Sequence, residues 1–256
     1  MNIRFSAIIP TCDRPGYLPE TIRSVLAQTY PPEEILIMDN GRVPADPKTL
    51  PQNSIIRIVR TMPRVGVSQA RNMGVLFAKG THLAFLDDDD SWEPGYLQAV
   101  AETIERAGAT VVLAPLRVLG NGKPLKGKQV DFSDAEDLIR KIHRLNPGVV
   151  GSNIVISREA FYRASGFDPI LGTHEDKALV HDLVKMGERC VRADNTWVNF
   201  RIGMDRERLT SSKQRMRGKW RYTCKYWKEM GTIPVMINLF LILRLFCRSL
   251  VEKAVR

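Results

Sequence analysis

The feature that most restricts how this chain can fold is an alternation of short apolar runs with amphipathic segments through its first half. Phe5-Ser-Ala-Ile-Ile9 is followed by a helix-like stretch from Leu18 to Gln28 and then by Glu34-Ile-Leu-Ile-Met38. Ile55-Ile-Arg-Ile-Val59 precedes a helix-like stretch from Val67 to Ala78 and the run His82-Leu-Ala-Phe-Leu86. Strands apolar on both faces must be covered on both faces, and parallel strands need a crossover between them. The pattern therefore predicts an α/β domain with a mostly parallel sheet. Three runs end in polar clusters, Pro10-Thr11-Cys12-Asp13-Arg14, Asp39-Asn40-Gly41 and Asp87 to Asp90. Ligands of open α/β sheets sit beyond the carboxyl ends of the strands, so the three clusters are expected to converge on one crevice suited to phosphate, sugar or metal.

After Pro94 the pattern predicts a helix from Tyr96 to Ala107, a strand from Ala109 to Leu113 and an exposed Gly- and Lys-rich loop from Gly120 to Lys128. A helix from Asp134 to Arg144, capped by Ser133 or Asp134, then leads through Asn146-Pro-Gly to an alternating strand, Gly151 to Ser157. We expect one catalytic domain over residues 1–203, with a nucleotide-binding half (1–95) and an acceptor-binding half (96–203), and a tail over 204–256.

The four aspartates that follow Leu83-Ala-Phe-Leu86 are poor strand formers and repel one another, so something must compensate them. One resolution is a solvated turn that caps the helix beyond Pro94. The other is a metal. On an extended strand end Asp87 and Asp89 face one side and Asp88 and Asp90 the other. One or two carboxylates completed by substrate phosphates is a donor set that suits Mg²⁺ or Mn²⁺.

Net charge separates the tail from the body. Lys+Arg number 38 and Asp+Glu 28, a net of +10; residues 1–200 hold 24 of each, and residues 201–256 hold 14 basic and 4 acidic. A neutral body argues against nucleic acid, and a basic, apolar tail suggests an anionic lipid surface. From Lys213 to Lys228 basic residues interleave with Trp220, Tyr222, Tyr226 and Trp227, and Ile233 to Leu243 is apolar apart from Pro234 and Asn238. Counted to the first charge, Arg244, that run is shorter than the ~20 residues a bilayer span needs. The tail is expected to lie in a membrane interface through residues 213–256, or to pack on the domain or on a second copy of the chain. Cys12, Cys190, Cys224 and Cys247 are scattered without zinc-site spacing, and Met1 leads into a strand without a secretory-signal pattern. The expected location is the cytoplasm, peripheral to the cytoplasmic face of the membrane.

Ile8-Ile-Pro-Thr-Cys-Asp-Arg14, Ile22-Arg-Ser-Val-Leu-Ala-Gln-Thr-Tyr-Pro31 and Glu34-Ile-Leu-Ile-Met-Asp39 are followed by Gly66-Val-Ser-Gln-Ala-Arg-Asn-Met-Gly74, Lys79-Gly80 and Phe85-Leu-Asp-Asp-Asp-Asp-Ser-Trp-Glu-Pro94. In these segments the chain resembles a family 2 glycosyltransferase of the inverting, GT-A type. The resemblance implies a single Rossmann-like nucleotide-sugar-binding domain. It implies a nucleoside held at Pro10, Thr11 and Asp39, with the Asp39 carboxylate accepting from the base, and Arg71 beside base or phosphates. Asp87 and Asp89 match the outer positions of the family's Asp-x-Asp, the first by ribose and sugar and the second on the metal. Asp13, Arg14 and Asp88 join the donor side as members of the same strand-end clusters. Ser165-Gly-Phe-Asp168 followed by His174-Glu-Asp176 is similar to the family's second-half motif, whose aspartate is the base. This makes Asp176 the first choice for that role and Glu175 the second, although acidic residues also suit a helix N-terminus and a lone His174 suits a structural hydrogen bond.

Relatives carry an aromatic-Arg-x-His segment where this chain reads Phe200-Arg-Ile-Gly-Met-Asp205, so the histidine metal contact is not expected here. The resemblance implies metal-dependent transfer from a nucleotide diphosphate sugar, UDP-linked by analogy, to a hydroxyl of a glycan or lipid-linked acceptor in cell-envelope polysaccharide synthesis. Two rivals use the same features. A nucleotidyltransferase would use the same aspartates and metal but wants a Gly-rich triphosphate loop that the first strand lacks. A non-enzymatic anion- or membrane-binding module would rely on the tail alone.

Overall fold

The computed structural model describes residues 2–126, 129–202 and 211–254. Its central sheet runs in the order β3 (Ile56–Arg60), β2 (Glu34–Asp39), β1 (Phe5–Thr11), β4 (His82–Phe85), β8 (Ile154–Ser157), β6 (Val111–Leu113), β9 (Cys190–Arg192). Pairings are parallel except those of β8, which runs antiparallel to β4 and β6. The mostly parallel α/β expectation holds. Alternate strand residues feed two apolar layers, Ile8, Leu36, Met38 and Phe85 on one face and Ala7, Ile9, Ile35 and Ala84 on the other. Burying each larger side chain contributes about 1.5–3 kcal/mol.

A second, small sheet of β5 (Ser91–Trp92), β10 (Val198–Phe200) and β7 (Leu116–Val118) was not foreseen, because strands of two or three residues carry no readable period. The segment expected to be strand from Gly151 splits: Gly151–Asn153 forms a 3₁₀ turn and only Ile154–Ser157 is strand. The Asn153 side-chain amide donates to the Ala114 and Gly148 carbonyls at 2.7 and 2.9 Å, which pulls the backbone out of the ladder.

The helices are α1 (Leu18–Leu26), α2 (Val67–Phe77), α3 (Tyr96–Ala107), α4 (Ala135–Arg144), α5 (Arg158–Arg163), α6 (Glu175–Lys185), α7 (Ser212–Met230) and α8 (Thr232–Ala254). Asp134 caps α4, accepting from the Asp137 N–H at 2.9 Å, as its sequence predicts. Gly74 lets α2 press onto β1, since a Cβ there would lie 2.6 Å from Ile8 Cγ2.

The tail is two helices, and the boundary expected at residues 203 and 204 lies outside the described residues. α7 opens with a capping box between Ser211 and Gln214 and buries Tyr222, Tyr226 and Met230 against the domain. Gly218 makes this docking close: a Cβ there would meet Thr173 Oγ1 at 1.9 Å and the Leu171 carbonyl oxygen at 2.9 Å. α8 packs on α7 and α4, where the Asn238 amide donates to the His143 carbonyl at 3.2 Å. Its outer face exposes Ile233, Met236, Leu239, Phe240, Leu243, Phe246 and Leu250. The window Thr232–Leu250 has a mean hydropathy of 1.8 and 19 residues, long and apolar enough to cross a bilayer by length and composition. The shorter count from sequence stopped at Arg244, whereas the helix continues through it.

Candidate active site

Because β1, β2 and β4 are parallel neighbours, their carboxyl ends open on one edge of the sheet, with Thr11 in register with Asp39. The antiparallel β8 brings its amino end, and with it Ser152, to the same edge. Ser152 Oγ accepts from the Asp87 N–H at 3.2 Å and donates to Asp90 Oδ2 at 2.5 Å.

The aspartates do not continue β4 as a strand. The Asp90 N–H donates to the Asp87 carbonyl at 3.2 Å, closing a turn. Strand alternation therefore does not govern them, and the expected pairing of Asp87 with Asp89 alone is corrected. Carboxylate oxygens of Asp87, Asp89 and Asp90 lie within 4.8 Å of one another. Asp88 turns the other way, wholly buried, where Thr11 Oγ1 donates to it at 2.7 Å and the Arg14 guanidinium pairs with it. Burial raises the Asp88 pKa, while Arg14 and the Thr11 hydroxyl oppose that rise. Arg14 Nη1 also reaches Asp89 Oδ2 at 2.8 Å. Thr21 Oγ1 donates to the Asp88 and Asp90 carbonyls at 2.9 and 2.8 Å, so the turn is held by its backbone as well.

Three carboxylates of hard oxygen donors, gathered on a turn at a strand end, with Asp87 partly exposed and Asp89 and Asp90 buried, fit a divalent cation of the Mg²⁺ or Mn²⁺ type. Asp90 was not a metal candidate from sequence. It is brought in by Ser152 and by Arg201, whose N–H donates to Asp90 Oδ1 at 2.8 Å and whose Nε donates to the Asp89 carbonyl at 3.0 Å. Arg201, in the segment that lacks the histidine of relatives, thus holds the acidic turn; Gly203, Met204 and Asp205 lie outside the described residues.

Arg71 is the centre of the site. It is 2 % exposed, projects from α2, and pairs with Asp87 at 2.5 Å and with Glu175 at 3.1 Å. Its guanidinium carbon lies 5.0 Å from the centre of the Phe167 ring. Burial alone would lower its pKa, but Asp87 and Glu175 outweigh that and hold it charged. Gly151 leaves the room it needs, since a Cβ there would lie 1.9 Å from Arg71 Nη2.

Asp13 and Asp39 are placed differently from a simple donor contact. Asp39 accepts from the Gly41 and Ala45 N–H groups at 2.9 and 2.8 Å and pairs with Arg60 at 2.8 Å. Asp13, at φ 54°, accepts from the Arg42 and Val43 N–H groups and pairs with Arg64. The Val43 and Arg42 N–H groups and the Arg64 guanidinium hold its carboxyl below the usual range. Both residues fasten the loop after β2, and Pro10 is buried in β1.

Across the crevice α6 begins at Glu175, preceded by His174 at φ 72°. His174 Nδ1 lies 3.0 Å from Thr173 Oγ1 and its ring 5.7 Å from that of Tyr222. Burial holds the His174 imidazole neutral, with Lys177 and Lys219 adding to the effect. Asp176 accepts from the Lys177 N–H at 2.7 Å and lines a cleft of about 320 Å³. Burial, then the charge of Glu175, pushes its carboxyl up to about 7. A slightly larger hollow of about 350 Å³ between α2 and α5 is lined by apolar and neutral polar side chains, with no carboxylate or cation to carry transfer chemistry.

The family model described as glycosyl transferase family 2 matches residues 6–164. The chain belongs to that family. Among similar sequences, TuaG of Bacillus subtilis (strain 168), named for teichuronic acid biosynthesis, is 26% identical over 203 residues, covering 77% of this chain and 78% of its own. The glucosyl-dolichyl phosphate glucuronosyltransferase of Haloferax volcanii is 26% identical over 203 residues, 72% of this chain and 64% of its own. This chain spans only 39% of another relative, the glycosyltransferase GlyG of Streptococcus pneumoniae, at 26% identity over 44% of the chain. Among solved structures, S. aureus TarS 1-349 in complex with UDP-GlcNAc aligns with TM-score 0.65 at 15% identity, over 95% of this chain and 72% of that one. GalNAc-T7 with UDP, GalNAc and Mn²⁺ aligns with TM-score 0.68 at 20% identity, over 89% and 49%. The fold is GT-A. The matched family segment ends before Glu175 and Asp176, so the reading of that pair rests on their geometry.

Proposed function

We propose that this family 2 chain is a metal-dependent, inverting glycosyltransferase. It takes a sugar from a nucleotide diphosphate donor, UDP-linked, and places it on a hydroxyl of a glycan or lipid-linked acceptor in cell-envelope polysaccharide synthesis. The observation that carries this reading is Arg71, which ties the three-carboxylate turn to the start of α6 and so sets a raised-pKa Asp176 across the crevice from it. The UDP choice draws support from the ligands named with TarS and GalNAc-T7, and the acceptor class from the names of TuaG and the Haloferax enzyme.

Asp87, Asp89 and Asp90 would hold Mn²⁺ or Mg²⁺, which when bound neutralises charge on the departing diphosphate. Arg14 and Arg71 keep the carboxylates apart and aimed. Asp13 and Asp39 shape the loop after β2 that borders the nucleoside, beside Pro10 and Thr11. Asp88 anchors the turn through Thr11 and Arg14. Asp176 takes the proton of the acceptor hydroxyl as its oxygen bonds to the anomeric carbon; the bond from that carbon to the diphosphate oxygen breaks, and the nucleoside diphosphate leaves with the electron pair. A base raised toward 7 is better matched to that proton than an ordinary carboxylate. Glu175 positions Arg71. The apolar outer face of α8 and the basic α7 would seat the protein on an anionic leaflet at the cytoplasmic side.

The test is a panel of nucleotide sugars with Mn²⁺ or Mg²⁺. Asp89→Ala is expected to lose metal-dependent donor turnover, and Asp176→Asn to retain UDP binding while losing transfer. Full transfer by Asp176→Asn rejects Asp176 as the base.

A further inference from the structure

Tyr222 belongs to the tail helix α7, yet its contacts lie in the surroundings of the base. It is wholly buried, and its hydroxyl lies 3.2 Å from His143 Nδ1 of α4. The Lys177 ammonium of α6 stands over its ring, 4.4 Å from the centre, and the His174 ring lies 5.7 Å away. Lys177 follows Asp176 in the chain and lines the same cleft. Its ammonium also donates to the Ile142 carbonyl at 2.8 Å, so α4 and α7 both hold it.

The charge of Lys177 acts on its neighbour. Burial and then Glu175 push the Asp176 carboxyl up to about 7, while the Lys177 N–H, the charge of Arg71 and the charge of Lys177 oppose that rise. The charged and titratable groups facing Asp176 are thus Glu175 and Lys177 on α6, Arg71 on α2, the neutral His174 before α6, and Lys219 and Tyr222 on α7. Glu175 and Arg71 are paired with each other at 3.1 Å, and the Lys219 ammonium donates to Asn238 Oδ1 at 2.9 Å. Lys177 carries its charge on a flexible stem, so its reach toward Asp176 depends on what holds the ammonium. An aromatic face attracts a desolvated ammonium and leaves it charged. Released from that face, the cation would settle on the adjacent carboxylate and return it toward an ordinary, weaker base.

We propose that Tyr222 is a positioning residue for the base: its ring, with the Ile142 carbonyl, holds the Lys177 ammonium at a reach from which it moderates Asp176 without neutralising it. The consequence for transfer rests on the reading of Asp176 as the base. The tail then contributes to the site by placing a charge, as well as by meeting a membrane.

The test uses the full-length protein, free of metal and nucleotide, with ¹³C in the side-chain carboxyl of its aspartates. The Asp176 resonance is assigned by its loss in Asp176→Asn, and its midpoint is read by NMR titration with pH. Tyr222→Phe keeps the ring and is expected to titrate with wild type. Tyr222→Leu is expected to fall by about one pH unit or more, and Lys177→Met to rise above wild type. The double variant Tyr222→Leu, Lys177→Met should titrate with Lys177→Met, because the ring then has no charge to hold. An unmoved midpoint in Tyr222→Leu or in Lys177→Met overturns the proposal. So does a double variant that falls below Lys177→Met as Tyr222→Leu falls below wild type, since water entering in place of the ring would then be the cause. Thermal melts accompany each variant. If Tyr222→Leu melts early, pentafluorophenylalanine at position 222 replaces it, keeping the shape of Tyr222→Phe while reversing the electrostatics of the ring, and the same fall is expected. In transfer assays the acid limb should move in the same order, and Tyr222→Leu should lower kcat while leaving the KM for the donor unchanged. The carboxyl titration needs no turnover, so retention of transfer by Asp176→Asn rejects the base assignment separately from the placement of Lys177.

Discussion

Replacing Arg71 with methionine removes the charge that two carboxylates share. Arg71 is 2 % exposed, and its partners Asp87 and Glu175 have side-chain exposures of 21 % and 10 %. All three are therefore largely shielded from solvent, and removing one partner of such a group leaves uncompensated buried charge, at about 3–5 kcal/mol. The loss of the guanidinium from the face of Phe167 adds to this, on the order of 0.5–2 kcal/mol. Taking the ion-pair term alone, at about 2–4 °C per kcal/mol for a chain of this size, the melting temperature should fall by roughly 6–20 °C. Urea titration measures the same loss as a free energy. The double variant Arg71→Met, Glu175→Gln should recover part of it, with a coupling of about 0.5–3 kcal/mol, since the stranded carboxylate is then neutral. Arg71→Lys should fall between, because an ammonium cannot present the two-pronged fork that meets Asp87 and Glu175 together. A loss in Arg71→Met below about 1 kcal/mol, the range of an exposed pair, would refute the reasoning that Arg71 is the buried link between the two halves of the site.

Gly151→Ala should act on the same residue from the other side: its Cβ would displace Arg71 Nη2, so the variant should lose stability by about 1–3 kcal/mol in denaturant titration and lose donor turnover with it. Gly218→Val should lift α7 from the 171–173 loop, raising KM for the acceptor while leaving the KM for the donor near wild type. Because the Asp176 pKa is raised in the folded state, its contribution favours folding below the unfolded carboxylate pKa and is lost as pH rises through about 7. Asp176→Asn should therefore stabilise the protein more at pH 8 than at pH 4, and wild-type transfer should rise with pH through about 7 where the variant shows no such limb. Deletion after Met230 should abolish flotation with anionic liposomes; equal flotation of the full and shortened chains would remove α8 from the membrane reading.

Much of the architecture was legible because it follows from local pattern. The apolar runs that became β1, β2 and β4 are buried on both faces, and such runs leave a continuous signature in sequence. The polar residues that end them, Thr11, Asp39 and Asp87, had to share one edge once the strands were parallel. The helices α1, α2, α3 and α4 appeared within a few residues of their predicted bounds. Chain order alone did not reveal the antiparallel insertion of β8, which depends on pairing between segments far apart in sequence.

The four aspartates mark the limit between the two. Sequence alone determined that an acidic group must stand at the end of β4 and that it needed compensation. Only the tertiary structure decided which carboxylates share the site, because that depends on a turn rather than on strand alternation and on partners from Thr11, Arg14, Ser152 and Arg201. Those partners come from three separate segments, the end of β1, the turn before β8 and the stretch after β10, and nothing in the spacing along the chain records their meeting. In the same way the sequence showed a basic, apolar tail, whereas packing alone showed that Gly218 brings α7 onto the domain and Lys219 into the cleft with Asp176. A hydrophobic period reports which face of an element is buried; it does not report what that face is buried against.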